Sequence, residues 1–231
     1  MKRSKPLFSQ PKEFIKGIPI TVWLIFLVII PLFYTFLMSF YSTDGLVISE
    51  VFTLENYKTF FTDPLYHTIF LKTLVMAFVV AVIAMLMSYP VAYLVAFKIK
   101  KRKNLLFMLC IIPLWVSYLV RIIAFRVILG NKGVINSLLL SLGLIHEPLT
   151  FLLYNQFAVA ITLTYICIPF IFIPVYTSLE KIPKNIIHAA YDLGASELKT
   201  FLYVIFPLSL PGFVTGFIFA FIIAMGDYII P

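Results

Sequence analysis

The residues able to do chemistry are few and scattered. His67, His146 and His188 stand far from one another and from Cys110 and Cys167, so no pair has metal-ligand spacing. Both cysteines fall in apolar stretches and read as small buried side chains rather than a disulfide framework. Neither a GxxxxGK[ST] phosphate loop nor an HExxH zinc motif occurs. One stretch is patterned, Pro183 to Gly212, PKNIIHAAYDLGASELKTFLYVIFPLSLPG. In it His188-Ala189-Ala190 precedes three residues, Gly194, nine more residues, then Val204-Ile205-Phe206-Pro207. The chemistry such a pattern supports is docking. Ala189, Ala190 and Gly194 leave a helix patch without bulk, so another surface can approach closely, while Ile186, Ile187 and Leu193 supply apolar area for a groove.

The elements needed to present that patch follow from the same residues. The spacing predicts a short helix over Lys184 to Leu193 with Pro183 in its first turn. Gly194 suits the left-handed position that ends a helix. Ser196 then caps a second helix, with Glu197 near its positive dipole end. The result is a helix–turn–helix knob.

A second group of residues is notable for its surroundings. Arg121 and Arg126 lie within an apolar run, and Asp227 follows another, with Trp115, Tyr118 and Tyr228 nearby in sequence. Ionisable groups at membrane depth usually face protein or a water-filled path. For the arginines two readings stand: snorkelling to the outer interface, or an outer gate or contact with a partner protein. Like charges repel, so Asp227 rather than an arginine is the candidate for meeting a cation, with Trp115, Tyr118 and Tyr228 as cation–π surfaces or simple lipid contacts.

Composition says what these groups are embedded in. Of 231 residues 62% are hydrophobic, and the mean hydropathy is +1.04. A soluble domain is about 45–50% apolar, so this is an all-α polytopic membrane protein. Five spans are predicted, at about 18–41, 68–97, 105–129, 151–179 and 201–224, after a basic tail over 1–17 that precedes too long an apolar run to be a cleaved leader. Residues 183–200 form the loop between the last two spans, and a sixth span is expected beyond Pro231. Leu54 to Tyr57 with Phe60-Phe61 suggests a short interfacial helix, and Val134 to Leu142 a segment that re-enters or lies on the membrane. Prolines at 31, 90, 113, 169, 174, 207 and 211 are expected to break or bend several spans.

The net charge of +8 implies no nucleic acid, because the basic residues cluster between apolar spans. Segments 1–17, 98–103 and 181–199 hold thirteen of the 18 Lys and Arg, while 42–65 and 130–150 hold only Lys58 and Lys132. The positive-inside rule then puts the N-terminus in the cytoplasm.

The patterned stretch resembles the EAA loop of type I ABC importer permeases, whose pattern is Glu-Ala-Ala, three residues, Gly, nine residues, then Ile, any residue, Leu, Pro. Ser117 to Arg121, Ile128 to Gly130, Gly133 to Leu139, Glu180 to Pro183, Tyr191 to Ser196 and Gly226-Asp227-Tyr228 are similar to the polyamine branch, most like the first of two permease subunits in spermidine/putrescine importers. The resemblance spans about residues 18–231. It implies a bacterial inner-membrane complex in lipid: a second permease, two ATPase subunits that hold the ATP and Mg, and a periplasmic substrate-binding protein. This chain would then be no enzyme and hold no cofactor. His188, Ala189, Ala190, Asp192, Gly194 and Pro207 fall on the ATPase-coupling motif, and Trp115, Tyr118, Arg121, Asp227 and Tyr228 on a translocation path or outer gate.

One position departs from the pattern. The family's Glu is His188 here, and imidazole is mostly neutral near pH 7. Docking is expected to persist through shape, with that ionic contact weakened and Asp192 taking part of the charge role. The alternatives are the same machine for another solute, such as an oxyanion, ferric iron or thiamine, a multipass membrane enzyme, for which no cluster of catalytic groups is found, or an inactive fragment.

Overall fold

In lipid every backbone N–H and C=O must find a partner within the protein, so long apolar runs fold as helices. The computed structural model, which describes residues 11–44, 47–152 and 155–227, is mostly helical. It divides into two units, Met1–Ile69 and Phe70–Pro231.

In the first unit, helix α1 covers Pro11–Met38, so it begins inside the stretch expected to be a tail. It runs unbroken through Pro31, and Thr35 Oγ1 donates to the Pro31 carbonyl at 2.8 Å. Strands β1 (Tyr41–Asp44) and β2 (Val47–Phe52) then pair antiparallel, with Asp44 opposite Val47. The sequence analysis did not anticipate this hairpin, although Asp44-Gly45 is a hairpin dipeptide. The short helix read from Leu54 to Phe61 is present as α2, Glu55–Thr62. Asn56 fastens it by donating to the Ser39 and Tyr41 carbonyls at 2.9 and 2.8 Å.

Helix α3 (Pro64–Tyr93) enters the second unit at Phe70 and ends in a wide π turn, Leu94–Lys98. The expected single span over 105–129 is divided. Helix α4 (Lys103–Ile111) tightens into a 3₁₀ turn at Ile112–Trp115, and α5 (Tyr118–Leu129) begins only after Val116 and Ser117, both extended. Pro113 sits in that tight turn, where the Val116 N–H returns to its carbonyl at 3.3 Å. The apolar run after Gly133 is helix α6, Val134–Ser141. Buried Asn136 pins it, donating to the Gly130 carbonyl and accepting from the Leu149 N–H at 2.8 Å. Helices α7 (Gln156–Glu180), α8 (Lys184–Asp192), α9 (Glu197–Thr200) and α10 (Phe206–Met225) complete the described chain. Five stretches are long and apolar enough to cross a membrane: Gly17–Met38, Pro64–Lys98, Tyr118–Ser141, Gln156–Glu180 and Glu197–Met225.

The core of the second unit lies between α3, α7 and α10. Small residues repeat every fourth position on α10, at Gly212, Gly216, Ala220 and Ala224, and all are buried. A Cβ at Gly212 would strike the Pro174 carbonyl and Ser178, and one at Gly216 would lie 3.2 Å from the Ile171 backbone. These positions therefore let two backbones approach as lipid-embedded helices do. The face of α3 is also lined with alanine, and Ser88 and Tyr89 tie it in through the Ile168 carbonyl at 3.3 Å and Ser209 Oγ at 2.8 Å.

The prolines break less than expected. Only Pro113 falls at a break; Pro90, Pro169, Pro174 and Pro211 lie inside continuous helices. Thr177 and Thr215 donate to the Ile173 and Pro211 carbonyls within α7 and α10. Pro207, in the first turn of α10, is absorbed by a π turn over Phe201–Ile205, where the Phe206 N–H reaches the Phe201 carbonyl.

Candidate functional site

Two sites emerge, one at an end of the second unit and one at membrane depth. The first is the knob. Helix α8 ends in a Schellman turn: the Ala195 N–H returns to the Ala190 carbonyl at 3.0 Å and the Gly194 N–H to Tyr191 at 2.9 Å. Gly194 takes φ +81°, the left-handed conformation the sequence assigned it. Ser196 Oγ accepts the Lys199 N–H at 3.4 Å and so caps α9. Pro183 is corrected from the first helical turn to the cap position before it, with ψ 129°.

The exposed face of the knob carries His188, Ala189, Asp192 and Gly194, with Leu193 88% exposed, and Ala190 lies half-buried. Ile187 is corrected from groove surface to anchor: it is buried with Ile182 in the core of the unit. Pro207 does not join this face but lies beyond α9 in the first turn of α10.

Ionic contacts hold the base of the knob to its neighbours. Lys103 Nζ donates to Glu180 Oε1 at 2.7 Å and sits 5.4 Å from the centre of the Tyr176 ring. The Glu180 carboxylate raises the Lys103 pKa above its ordinary value. Lys98 meets Glu197 at 3.6 Å. Thus α3, α4, α7 and α9 are cross-linked where α8 projects.

The second site lies around the break between α4 and α5. Tyr118, the first residue of α5, donates its hydroxyl proton to Asp227 Oδ1 beyond the end of α10. The Arg121 guanidinium lies over the Tyr118 ring, 5.7 Å from its centre. Arg121 is 8% exposed, and its Nε and Nη1 are buried with no hydrogen-bond partner among the described residues. The structure thus decides against snorkelling for Arg121. Arg126, one turn and a half further on, has an exposed side chain.

Cys167 of α7 is the residue the sequence analysis did not connect with this site. Cys167 is fully buried, within electrostatic reach of Tyr118 and Asp227. Thr164, one turn earlier, has a buried hydroxyl without a partner. A polar residue in an apolar span was the available signal. Trp115, in contrast, is 86% exposed and stands outside the cluster, and Tyr228 lies outside the described residues. Cys167 is thirteen residues along α7 from Glu180, which at 1.5 Å per residue is about 20 Å. In a hydrocarbon core of about 30 Å the cluster is therefore deep.

Residues 88–231 match the family of binding-protein-dependent transport system inner membrane components. The chain belongs to this family. It is 38% identical over 210 residues to the spermidine/putrescine transport system permease protein PotB of Escherichia coli K12, covering 90% of this chain and 76% of that protein. It is 35% identical over 207 residues to the protein of the same name from Haemophilus influenzae, covering 89% and 72%. The inner membrane ABC transporter permease protein YdcU of E. coli K12 is 33% identical over 208 residues, covering 84% and 66%. The permease is accordingly a membrane transport component and not an enzyme. Both sites described above lie within the matched residues, and the helical bundle with its projecting knob is the type I ABC importer permease fold.

Proposed function

We propose that this permease is one of two membrane subunits of an ATP-driven polyamine importer, and that Asp227 and Tyr118 meet the cationic substrate on its path. The observation that carries the reading is a carboxylate beside a broken helix deep in the bundle. Irregular backbone at membrane depth is tolerated where it is buried in protein or lines a water-filled cavity, and discontinuous helices commonly build transporter sites. A carboxylate and a tyrosine ring together suit an ammonium group. The relatives named for spermidine and putrescine support the same substrate class.

The knob is the ATPase-docking element. His188, Ala189, Ala190, Asp192 and Gly194 would face a groove on the ATPase, where ATP and Mg are held, and Pro207 sets the membrane helix behind it. A second permease and a periplasmic binding protein complete the machine. The charge of the basic segments 98–103 and 181–199 supports a cytoplasmic N-terminus by the positive-inside rule.

Asp227→Asn in the assembled transporter tests the path. Spermidine uptake should fall about tenfold or more, as expected when a buried charge partner is removed, while the complex still assembles. Unchanged uptake would remove Asp227 from the path. One observation favours another solute: the unpartnered guanidinium of Arg121 would suit an oxyanion. Sulfate competing for uptake would reveal that reading.

A further inference from the structure

Arg121 is buried, stands in the first turn of α5 where the helix dipole is positive, and leaves Nε and Nη1 without partners. A guanidinium held so is costly on every count: desolvation, the dipole, and unmade hydrogen bonds. Its single described contact is the face of the Tyr118 ring. That same tyrosine spends its hydroxyl on Asp227, the acidic group of the cluster. Tyr118 thus touches both the unpartnered guanidinium, with its ring, and the carboxylate, with its hydroxyl.

We propose that Arg121, Tyr118 and Asp227 form a two-position latch, in which Arg121 exchanges its place under Tyr118 for direct pairing with Asp227. In the conformation described, Tyr118 covers the carboxylate and Arg121 is held back. In the other, the tyrosine swings away and the bidentate guanidinium takes the carboxylate. A cation on the path meets Asp227 between these positions. Arg121 then closes on the carboxylate as the cation leaves, so that the cation does not rebind. Arg121 is a positioning residue here, because like charge keeps it from gripping the substrate itself. The α4–α5 break supplies the hinge, at Val116 and Ser117 between the 3₁₀ turn and α5. This inference rests on the reading of Asp227 as the cation's partner.

The test uses the full transporter with its binding protein, in two measurements. The first is labelled spermidine uptake by Arg121→Gln and Arg121→Lys. The latch predicts that Arg121→Gln lowers the maximal rate about tenfold with KM unchanged or lower, because release is slowed. Arg121→Lys should retain most of the rate. An Arg121→Gln transporter with its full maximal rate would overturn the latch. The second is a structure of the wild-type complex trapped with an ATP analogue. A guanidinium–carboxylate contact within about 4 Å between Arg121 and Asp227 is expected. Arg121 still lying under Tyr118 in that state would also overturn it. The second measurement decides alone if Arg121→Gln fails to assemble. Normal uptake by Asp227→Asn would instead sink the substrate reading, and the trapped contact would still report whether the latch exists.

Discussion

His188 is the residue at which this permease departs most plainly from its family pattern. Its side chain is exposed on the face of α8, so its role is set by what docks there and not by the fold of this chain. The exposed Ala189, Gly194 and Leu193 beside it offer a surface that a partner could meet by shape. His188→Ala should therefore keep at least about half of substrate-stimulated ATPase activity, since a single rim contact contributes about 1 kcal/mol or less. His188→Glu should equal or exceed the parent. Complete uncoupling by His188→Ala would show that the imidazole makes a contact that shape cannot replace. What the sequence made legible here was local: the helix over Lys184–Asp192, the left-handed Gly194 and the Ser196 cap depend on residues within a few positions of one another. The choice between the two readings of Arg121 was not legible, for the opposite reason. Its neighbour Tyr118 meets Asp227, 109 residues away in sequence, and no local pattern carries that.

At the scale of elements, the α7–α10 interface is the part of the bundle least able to change. Gly212 faces the Pro174 carbonyl and Ser178 with no room for a Cβ. Gly212→Val should cost about 1–3 kcal/mol by overpacking, and more if the helices separate. Thermal unfolding in detergent would register a lowered Tm. An unchanged Tm would mean that α7 shifts without penalty. Gly17, with open space where a Cβ would go, is the matched control. Hydropathy found the apolar runs because a span is a property of composition. It did not find the α4–α5 break, since Pro113 resembles Pro169, Pro174 and Pro211, which lie inside continuous helices. What separates Pro113 is the extended pair that follows it, Val116 and Ser117. The β1–β2 hairpin escaped notice because its strands are only four and six residues long and the pair is set between two helices.

At the scale of the whole molecule, the coupling surface and the intramembrane cluster are joined by packed helices. From the Lys103–Glu180 pair at the base of the knob, α7 runs without interruption to Cys167, whose thiol lies 3.6 Å from the Ala220 carbonyl of α10. Under the proposed function, that continuous helix is the element by which events at an ATPase would reach the substrate path. This coupling is the reason to read one function from two distant sites. The central claim is that the machine moves polyamines. The measurement that tests it most directly is uptake of labelled spermidine by cells with and without this permease, challenged by unlabelled putrescine, sulfate and ferric iron. The account predicts that uptake is lost without the permease and is competed by putrescine alone. Polyamine uptake that persists unchanged in its absence, or competition by sulfate or iron, would contradict it.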